Sequence, residues 1–307
     1  MTGKPSKHFL IADVFTETRF GGNQLAVFTD GAGLDDETMQ NIAREMNYSE
    51  TTFLLPPERD GDYRVRIFTP ARELPFAGHP LVGTAFVIVA EQLKPRTEPL
   101  TSTLLETGAG PIHVEVRVES GQAGRTTMTQ PLPVVRGAWP DIPALAKALS
   151  LDASSIQDTG LPVETMFNGL AVMIVPVTTL AAIQSICVEA AVLERISNEA
   201  GAQTVLAFTR ETVLPASTAH CRVFAPAAGV IEDAATGSAN GPFGAYLVRH
   251  KLVESEAAAK IVSEQGFEMK RPSILHIGVD VEESGEVTAV RVGGGVVITG
   301  RGEIFID

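Results

Sequence analysis

Three side chains in this 307-residue chain stand at loop positions where acid–base chemistry is commonly carried. They are Glu50 in Asn47-Tyr48-Ser49-Glu50-Thr51-Thr52, His79 in Gly78-His79-Pro80, and Asp233 in Glu232-Asp233-Ala234. Carboxylates and imidazoles take and return protons near neutral pH, so the set suits proton transfer at carbon. Taken singly, each also suits a plainer role: a Glu at the start of a strand is commonly solvated, and a loop His before Pro is commonly a hydrogen-bonded structural residue. The Gly-His-Pro and Thr-Gly-Ser-Ala turns are each expected to open a helix, where unpaired N–H groups attract anions. A simple capped helix would read the same way. If both ends face one ligand, Gly78, His79, Gly237 and Ser238 come within reach of a carboxylate and stabilise negative charge developing beside it.

Other chemistries fit less well. The histidines at 8, 79, 113, 220, 250 and 276 show no paired metal-ligand spacing, so no metal is expected. Ser238 has Thr236 and Asn240 two residues to either side and is no G-x-S-x-G elbow. Gly293-Gly294-Gly295 lacks dinucleotide spacing and a following helix, and no G-x-x-x-x-G-K-[ST] loop exists to cradle a nucleotide. Cys187 is expected in an apolar helical stretch and Cys221 in the strand 220–224, both as inert, buried packing residues.

The elements that must position the acid–base residues come in two copies. Arg66-Ile67-Phe68-Thr69-Pro70 and the following Glu73-Leu74-Pro75-Phe76-Ala77-Gly78-His79-Pro80 recur as Arg222-Val223-Phe224-Ala225-Pro226 and Glu232-Asp233-Ala234-Ala235-Thr236-Gly237-Ser238-Ala239. Each copy reads as a strand, a Pro-containing loop, and a Gly turn leading to a small-residue apolar helix, 81–90 and 241–248. Upstream, Phe20-Gly21-Gly22-Asn23-Gln24-Leu25-Ala26-Val27-Phe28 echoes Phe167-Asn168-Gly169-Leu170-Ala171-Val172-Met173. The helix end Ile42-Ala43-Arg44-Glu45 leads into the strand 51–55 much as Ile196-Ser197-Asn198-Glu199 leads into 204–208. Glu50 is thereby opposed by Thr204 and His79 by Ser238, a difference that a site assembled from unequal halves can use. The chain therefore reads as two similar lobes with a ligand cleft between them. The lobes are set at 1–126 plus 293–307 and at 127–292, with the Pro-rich stretch 130–140 separating the two copies and the strands 296–298 and 304–306 returning to the first lobe.

Within the first lobe, strands flank a Gly21-Gly22-Asn23 turn, and Asp35 caps a helix whose apolar stripe is Met39, Ile42, Ala43 and Met46, with Asn47 as its terminator. The strands 51–55 and 63–68 form a hairpin, and 104–118 adds strand material. Hydrophobic residues at 44% support real cores, and a net charge of −13 argues against phosphate-backbone attraction. No apolar run approaches a signal or membrane-spanning length, so a cytoplasmic protein that binds neither membrane nor nucleic acid is expected.

Asp13-Val14-Phe15, Gly22-Asn23, Ala26-Val27, Ser49-Glu50-Thr51 and the two long Gly-turn motifs, in this order from about Asp13 onward, resemble the PhzF-like phenazine-biosynthesis family. The resemblance implies an α+β fold of two pseudo-symmetric diaminopimelate-epimerase-like lobes, each a curved β-sheet or barrel around a central helix. It implies cofactor-independent isomerisation of a small cyclic or amino-acid-like carboxylate, as with trans-2,3-dihydro-3-hydroxyanthranilate, in an inter-lobe cleft. By motif, the proton-carrying Glu falls on Glu50 and its supporting His, Asp and Ser on His79, Asp233 and Ser238, with Asn23, Ser49, Gly78, Thr236 and Gly237 against the substrate. A homodimer is part of the same expectation. Amino-acid racemases and epimerases of similar fold use two thiols, one before each Gly turn, where this chain has Ala77 and Thr236. Racemisation and non-catalytic metabolite binding are the alternatives.

Overall fold

In the computed structural model, which describes residues 5–254 and 258–306, the chain divides into two units, Met1–Thr129 with Gly293–Asp307 and Gln130–Val292. In the first, β1 (Ser6–Val14) pairs antiparallel with β2 (Asn23–Phe28). The turn between them needs glycine at 22: its φ is 63°, and a Cβ there would strike the Val14 carbonyl. Helix α1 (Asp36–Met46) starts where Asp35 Oδ1 accepts from the Thr38 N–H at 2.8 Å and stops at Asn47, left-handed at φ 52°. β3 (Glu50–Leu55) runs parallel to β2, and β4 (Tyr63–Phe68) pairs antiparallel with β3 and with the short β5 (Glu73–Leu74).

Helix α2 (Gly78–Ala90) is apolar on every side, so burying it requires partners all round. It has them: Gly78 through Val89 are buried, and the helix packs on β1, β2, β3, β6 (Leu100–Thr107) and β7 (Gly110–Glu119). The sheet therefore curves around it. β6 lies parallel to β4, and β7 pairs with β6 and β8 (Gln122–Gln130). Outside the sheet, α1 sets Met39, Ile42 and Ala43 against Phe28, Phe53 and Phe68.

The second unit holds β9 (Val134–Ala138), α3 (Ile142–Ala148), α4 (Ser154–Gln157), β10 (Glu164–Phe167) and β11 (Ala171–Pro176). Then come α5 (Leu180–Gln184), α6 (Ala190–Glu199), β12 (Thr204–Thr209), β13 (Ala219–Ala225), β14 (Val230–Asp233) and α7 (Gly237–Arg249). β15 (Ile261–Gln265), β16 (Ser273–Val281) and β17 (Val287–Gly294) complete it. Its ladder repeats the first: β11 is parallel to β12, β12 antiparallel to β13, β13 antiparallel to β14 and parallel to β15. Helix α7 is buried from Gly237 to Leu247 and packs on β11, β12 and β16. Finally β18 (Val296–Phe305) pairs antiparallel with β1, Val296 opposite Val14 and Phe305 opposite Ser6.

The duplication reaches individual side chains. Arg66 grips Glu73 through Nε and Nη2 at 2.7 and 2.6 Å and lies 5.0 Å from the centre of the Phe68 ring. Arg222 grips Glu232 the same way at 2.8 and 2.7 Å, 5.1 Å from the Phe224 centre. Such forked pairs fix the guanidinium plane as well as its position. Likewise Glu106 on β6 accepts backbone N–H bonds from Glu58, Arg59 and Gly61, and Glu264 on β15 accepts them from Val213 and Leu214.

Several elements differ from expectation. Both central helices start at the glycine itself, Gly78 and Gly237, three and four residues earlier than the apolar runs suggest. Pro80 is harmless so early, because the first-turn N–H groups have no helical partners. Cys187 lies exposed between α5 and α6, not buried in a helix: apolar Ile183 and Ile186 beside it take the core positions. The strands expected at 296–298 and 304–306 are one strand, continuous because β1 pairs along its length with a bulge at Ile11/Ala12. β17 extends through Gly294, so only Gly295 of the triple glycine interrupts the strands. Among the described residues no helix is long and apolar enough to cross a membrane.

Candidate active site

The first constellation lies in the first unit. Helix α1 is capped at Asn47, and β3 opens at Glu50 directly after Ser49, with Glu50 opposite Leu25 on the parallel ladder. His79 is the second residue of α2. Its Nε2 lies 3.3 Å from Glu50 Oε2, the imidazole side chain 4% exposed and the carboxylate side chain 15%. On the other side of the ring, His79 Nδ1 lies 3.2 Å from Asn23 Nδ2, and Asn23 Oδ1 accepts from the Ser49 hydroxyl at 3.3 Å. Burial pushes the His79 imidazole down to about 3, against the weaker opposing effect of a hydrogen bond to the Gln24 backbone carbonyl, so the ring is neutral at physiological pH. At 3.3 Å the approach is looser than a good hydrogen bond.

The second constellation lies in the second unit. Asp233 ends β14, and its Oδ2 accepts from the Thr236 hydroxyl at 2.6 Å. Thr236 is the N-cap of α7 yet makes no side-chain cap bond, and Ala77, the N-cap of α2, makes none either. Gly237 and Ser238 follow as the first residues of α7. This helix carries Pro242 in its interior, which leaves the Ser238 carbonyl without its usual N–H partner. Asn168 Nδ2 supplies the missing donor at 3.2 Å. The same amide donates to Gln130 Oε1 at 2.7 Å, while Gln130 Nε2 donates to the Gly237 carbonyl at 2.9 Å. A side chain at Gly241 would collide with Gln130, which explains glycine there.

The fold thus brings Asn23, Ser49, Glu50 and His79 together, with Gly78 beside His79, and separately gathers Asp233, Thr236, Gly237 and Ser238. Glu50 and Thr204 are the first residues of equivalent strands, and His79 and Ser238 the second residues of equivalent helices. Sequence reasoning missed Gln130, Asn168 and Gln265. Gln265-Gly266 is the counterpart of Thr107-Gly108, the two glycines crowding Ala234 and Pro75 alike, but no local signal marks Gln265 as functional. Cys221 is buried beside Ser263, and burial pushes its thiol up to about 12, the Ser263 hydroxyl opposing weakly. Among the described residues no cluster of three or more His, Cys, Asp or Glu is arranged to hold a metal.

Residues 12–302 match the family described as phenazine biosynthesis-like protein, PhzC-PhzF. The chain is 37% identical to the trans-2,3-dihydro-3-hydroxyanthranilate isomerase of Pseudomonas chlororaphis over 299 residues, 97% of this chain and 99% of that one. The crystal structure of a PhzF-family phenazine biosynthesis protein of Bacillus anthracis superposes with a TM-score of 0.85 at 28% identity, covering 98% of this chain and all of that one. A probable proline racemase of Agrobacterium radiobacter shares the fold, with a TM-score of 0.71 at 14% identity over 98% of this chain and 93% of that one.

Proposed function

The chain belongs to the phenazine biosynthesis-like PhzC-PhzF family and is an isomerase, and from that premise we propose that it isomerises a small cyclic carboxylate such as trans-2,3-dihydro-3-hydroxyanthranilate without a cofactor, with Glu50 carrying the proton. The observation that carries this reading is the part-exposed Glu50 carboxylate beside the buried, neutral His79. An isomerisation of this kind moves one proton and changes no oxidation state. A C–H bond beside a diene is acidified because the electron pair left behind spreads over the conjugated system. Glu50 takes that proton as carboxylate, becomes the neutral acid, and returns it to another carbon of the same system. A full positive charge next to Glu50 would weaken it as a base, and the neutral imidazole places none there.

In this reading Asn23 and Ser49 hold the imidazole, and Asp233, Thr236 and Ser238 contact polar groups of the same substrate. Gly78 and Gly237 present helix N-terminal N–H groups to the carboxylate. A two-thiol racemase is disfavoured: Ala77 and Thr236 occupy the positions before the Gly turns, and Cys221 is buried and protonated.

The test is Glu50→Gln assayed on trans-2,3-dihydro-3-hydroxyanthranilate. The amide keeps the shape and loses the base, so kcat should fall by roughly 10²–10⁴-fold with a KM close to wild type. A folded variant that keeps its turnover rejects Glu50 as the proton carrier.

A further inference from the structure

Gln265, the last residue of β15, is fully buried and uses every hydrogen-bonding position it has. Its Nε2 donates to the Asp233 carbonyl at 2.7 Å and to Thr236 Oγ1 at 3.2 Å. Its Oε1 accepts from the Thr236 N–H and from Asn240 Nδ2, both at 3.2 Å. A backbone N–H can only donate and a backbone carbonyl only accept, so the amide has one orientation and cannot flip. The consequence falls on Thr236. Because Oγ1 accepts from Gln265, the hydroxyl hydrogen turns to its other neighbour, Asp233 Oδ2 at 2.6 Å. A directed chain runs from amide through hydroxyl to carboxylate.

The other unit shows what this chain of bonds is for. On the ladder, Leu74 faces Ile67 where Asp233 faces Val223, so Leu74 holds the position of Asp233. Ala77 caps α2 where Thr236 caps α7. The pairs Arg64 with Glu106 and His220 with Glu264 put Thr107 in the place of Gln265, and the Thr107 hydroxyl donates locally to the Gly110 carbonyl at 2.7 Å. Scaffold pairs such as Arg66 with Glu73 are present in both units, whereas acid, hydroxyl and amide occur together in one. A helix start of this geometry folds without them in the first unit.

We infer that Gln265 is a positioning residue for the reaction, orienting the Thr236 hydroxyl so that Asp233 is held as a fixed hydrogen-bond acceptor towards substrate. The inference rests on the isomerase reading above, in which Asp233 contacts substrate.

Gln265→Met, Thr236→Val, Thr236→Ser, Asp233→Asn and the double variant Gln265→Met/Thr236→Val are compared for kcat and KM on trans-2,3-dihydro-3-hydroxyanthranilate, with thermal unfolding as the check on fold. Gln265→Met and Thr236→Val should each lower kcat by about 10- to 100-fold while KM moves less than about threefold, the pattern of a contact realised in the transition state. The double variant should be no worse than the poorer single one, because residues in one chain of bonds do not act additively. Thr236→Ser, which keeps the hydroxyl, should recover most of the kcat that Thr236→Val loses, and this arm stands even if Gln265→Met fails to fold. Folded Gln265→Met with wild-type kcat, or losses that multiply in the double variant, would overturn the inference while leaving the isomerase reading intact. Thr236→Ser as impaired as Thr236→Val would do the same. Wild-type turnover in Asp233→Asn, or no turnover of this compound by the wild type, would overturn the reading beneath it and the inference together.

Discussion

A histidine's environment decides its role here, and the chain holds two opposite cases. His79 is neutral because burial dominates and no carboxylate hydrogen bond compensates. His220 is buried too, and burial opposes its charge, yet Nδ1 lies 2.8 Å from Glu264 and Nε2 3.0 Å from Glu268, and these bonds push it up to about 9. Burial also opposes ionisation of Glu264 and Glu268, but the bonds to His220 and to backbone N–H groups hold both below the usual carboxylate range. The sign follows from linkage. A raised imidazole contributes stability that is fully present below its unfolded value of 6.5 and fades as pH rises through about 9. The depressed carboxylates contribute above their unfolded value of 4.5 and lose it as pH falls. His220→Gln should therefore lower the urea midpoint most near pH 6 and distinctly less above pH 9. A loss that is constant from pH 6 to 10 contradicts a charged His220. His79 works in the reverse sense, but it is common to both proteins and cancels in the difference.

Among the elements, α7 is the one that needs outside help. Its interior Pro242 removes a helical donor, and Gln130 and Asn168 cover the Gly237 and Ser238 carbonyls. Both side chains are buried, so removing one strands the groups it served. Asn168→Ala should cost about 1–3 kcal/mol in chemical unfolding, the penalty for buried polar groups left unpaired. Replacing Pro242 by Ala restores a donor to Ser238, so in that background the Asn168→Ala loss should shrink. An unchanged loss would mean that the Asn168 bond to Gln130, not its bond to Ser238, is what matters. Helix α2 has no such dependence, since its proline sits in the first turn.

Across the whole chain, the charge of −13 works against a carboxylate substrate approaching from solution. The helix ends that would hold the anion act over one turn only, so they cannot offset the long-range repulsion. Salt can. The screening length falls from about 30 Å at 0.01 M to about 8 Å at 0.15 M, which removes most of the distant repulsion. For an anionic substrate kcat/KM should therefore rise, by about twofold or more, over that range, whereas a neutral analogue should show little change. A fall in kcat/KM with salt would indicate a local cationic entrance that dominates the net charge.

The repeated order of strands, Gly turns and central helices was readable from residue order alone, because strands, Gly turns and an unbroken apolar helix leave local signatures. Glu50 against Thr204 and His79 against Ser238 emerged by laying one copy over the other, and the paired strands and helices place them at equivalent positions. Local signals failed where a remote partner decides. α7 starts four residues before the apolar run and accommodates Pro242 because Asn168, distant in sequence, donates to the Ser238 carbonyl in place of the missing N–H. Cys187 read as core because apolar neighbours surround it in sequence, while the α5–α6 loop turns it outward. Gln265 is the clearest case. A glutamine before a glycine looks like any strand end, and only folding β15 beside β13 sets its amide among Asp233, Thr236 and Asn240, where hydrogen-bond direction becomes determined. Composition and periodicity specify what must be buried, whereas the direction of a buried hydrogen bond depends on which donors and acceptors the tertiary fold brings within 3 Å or so.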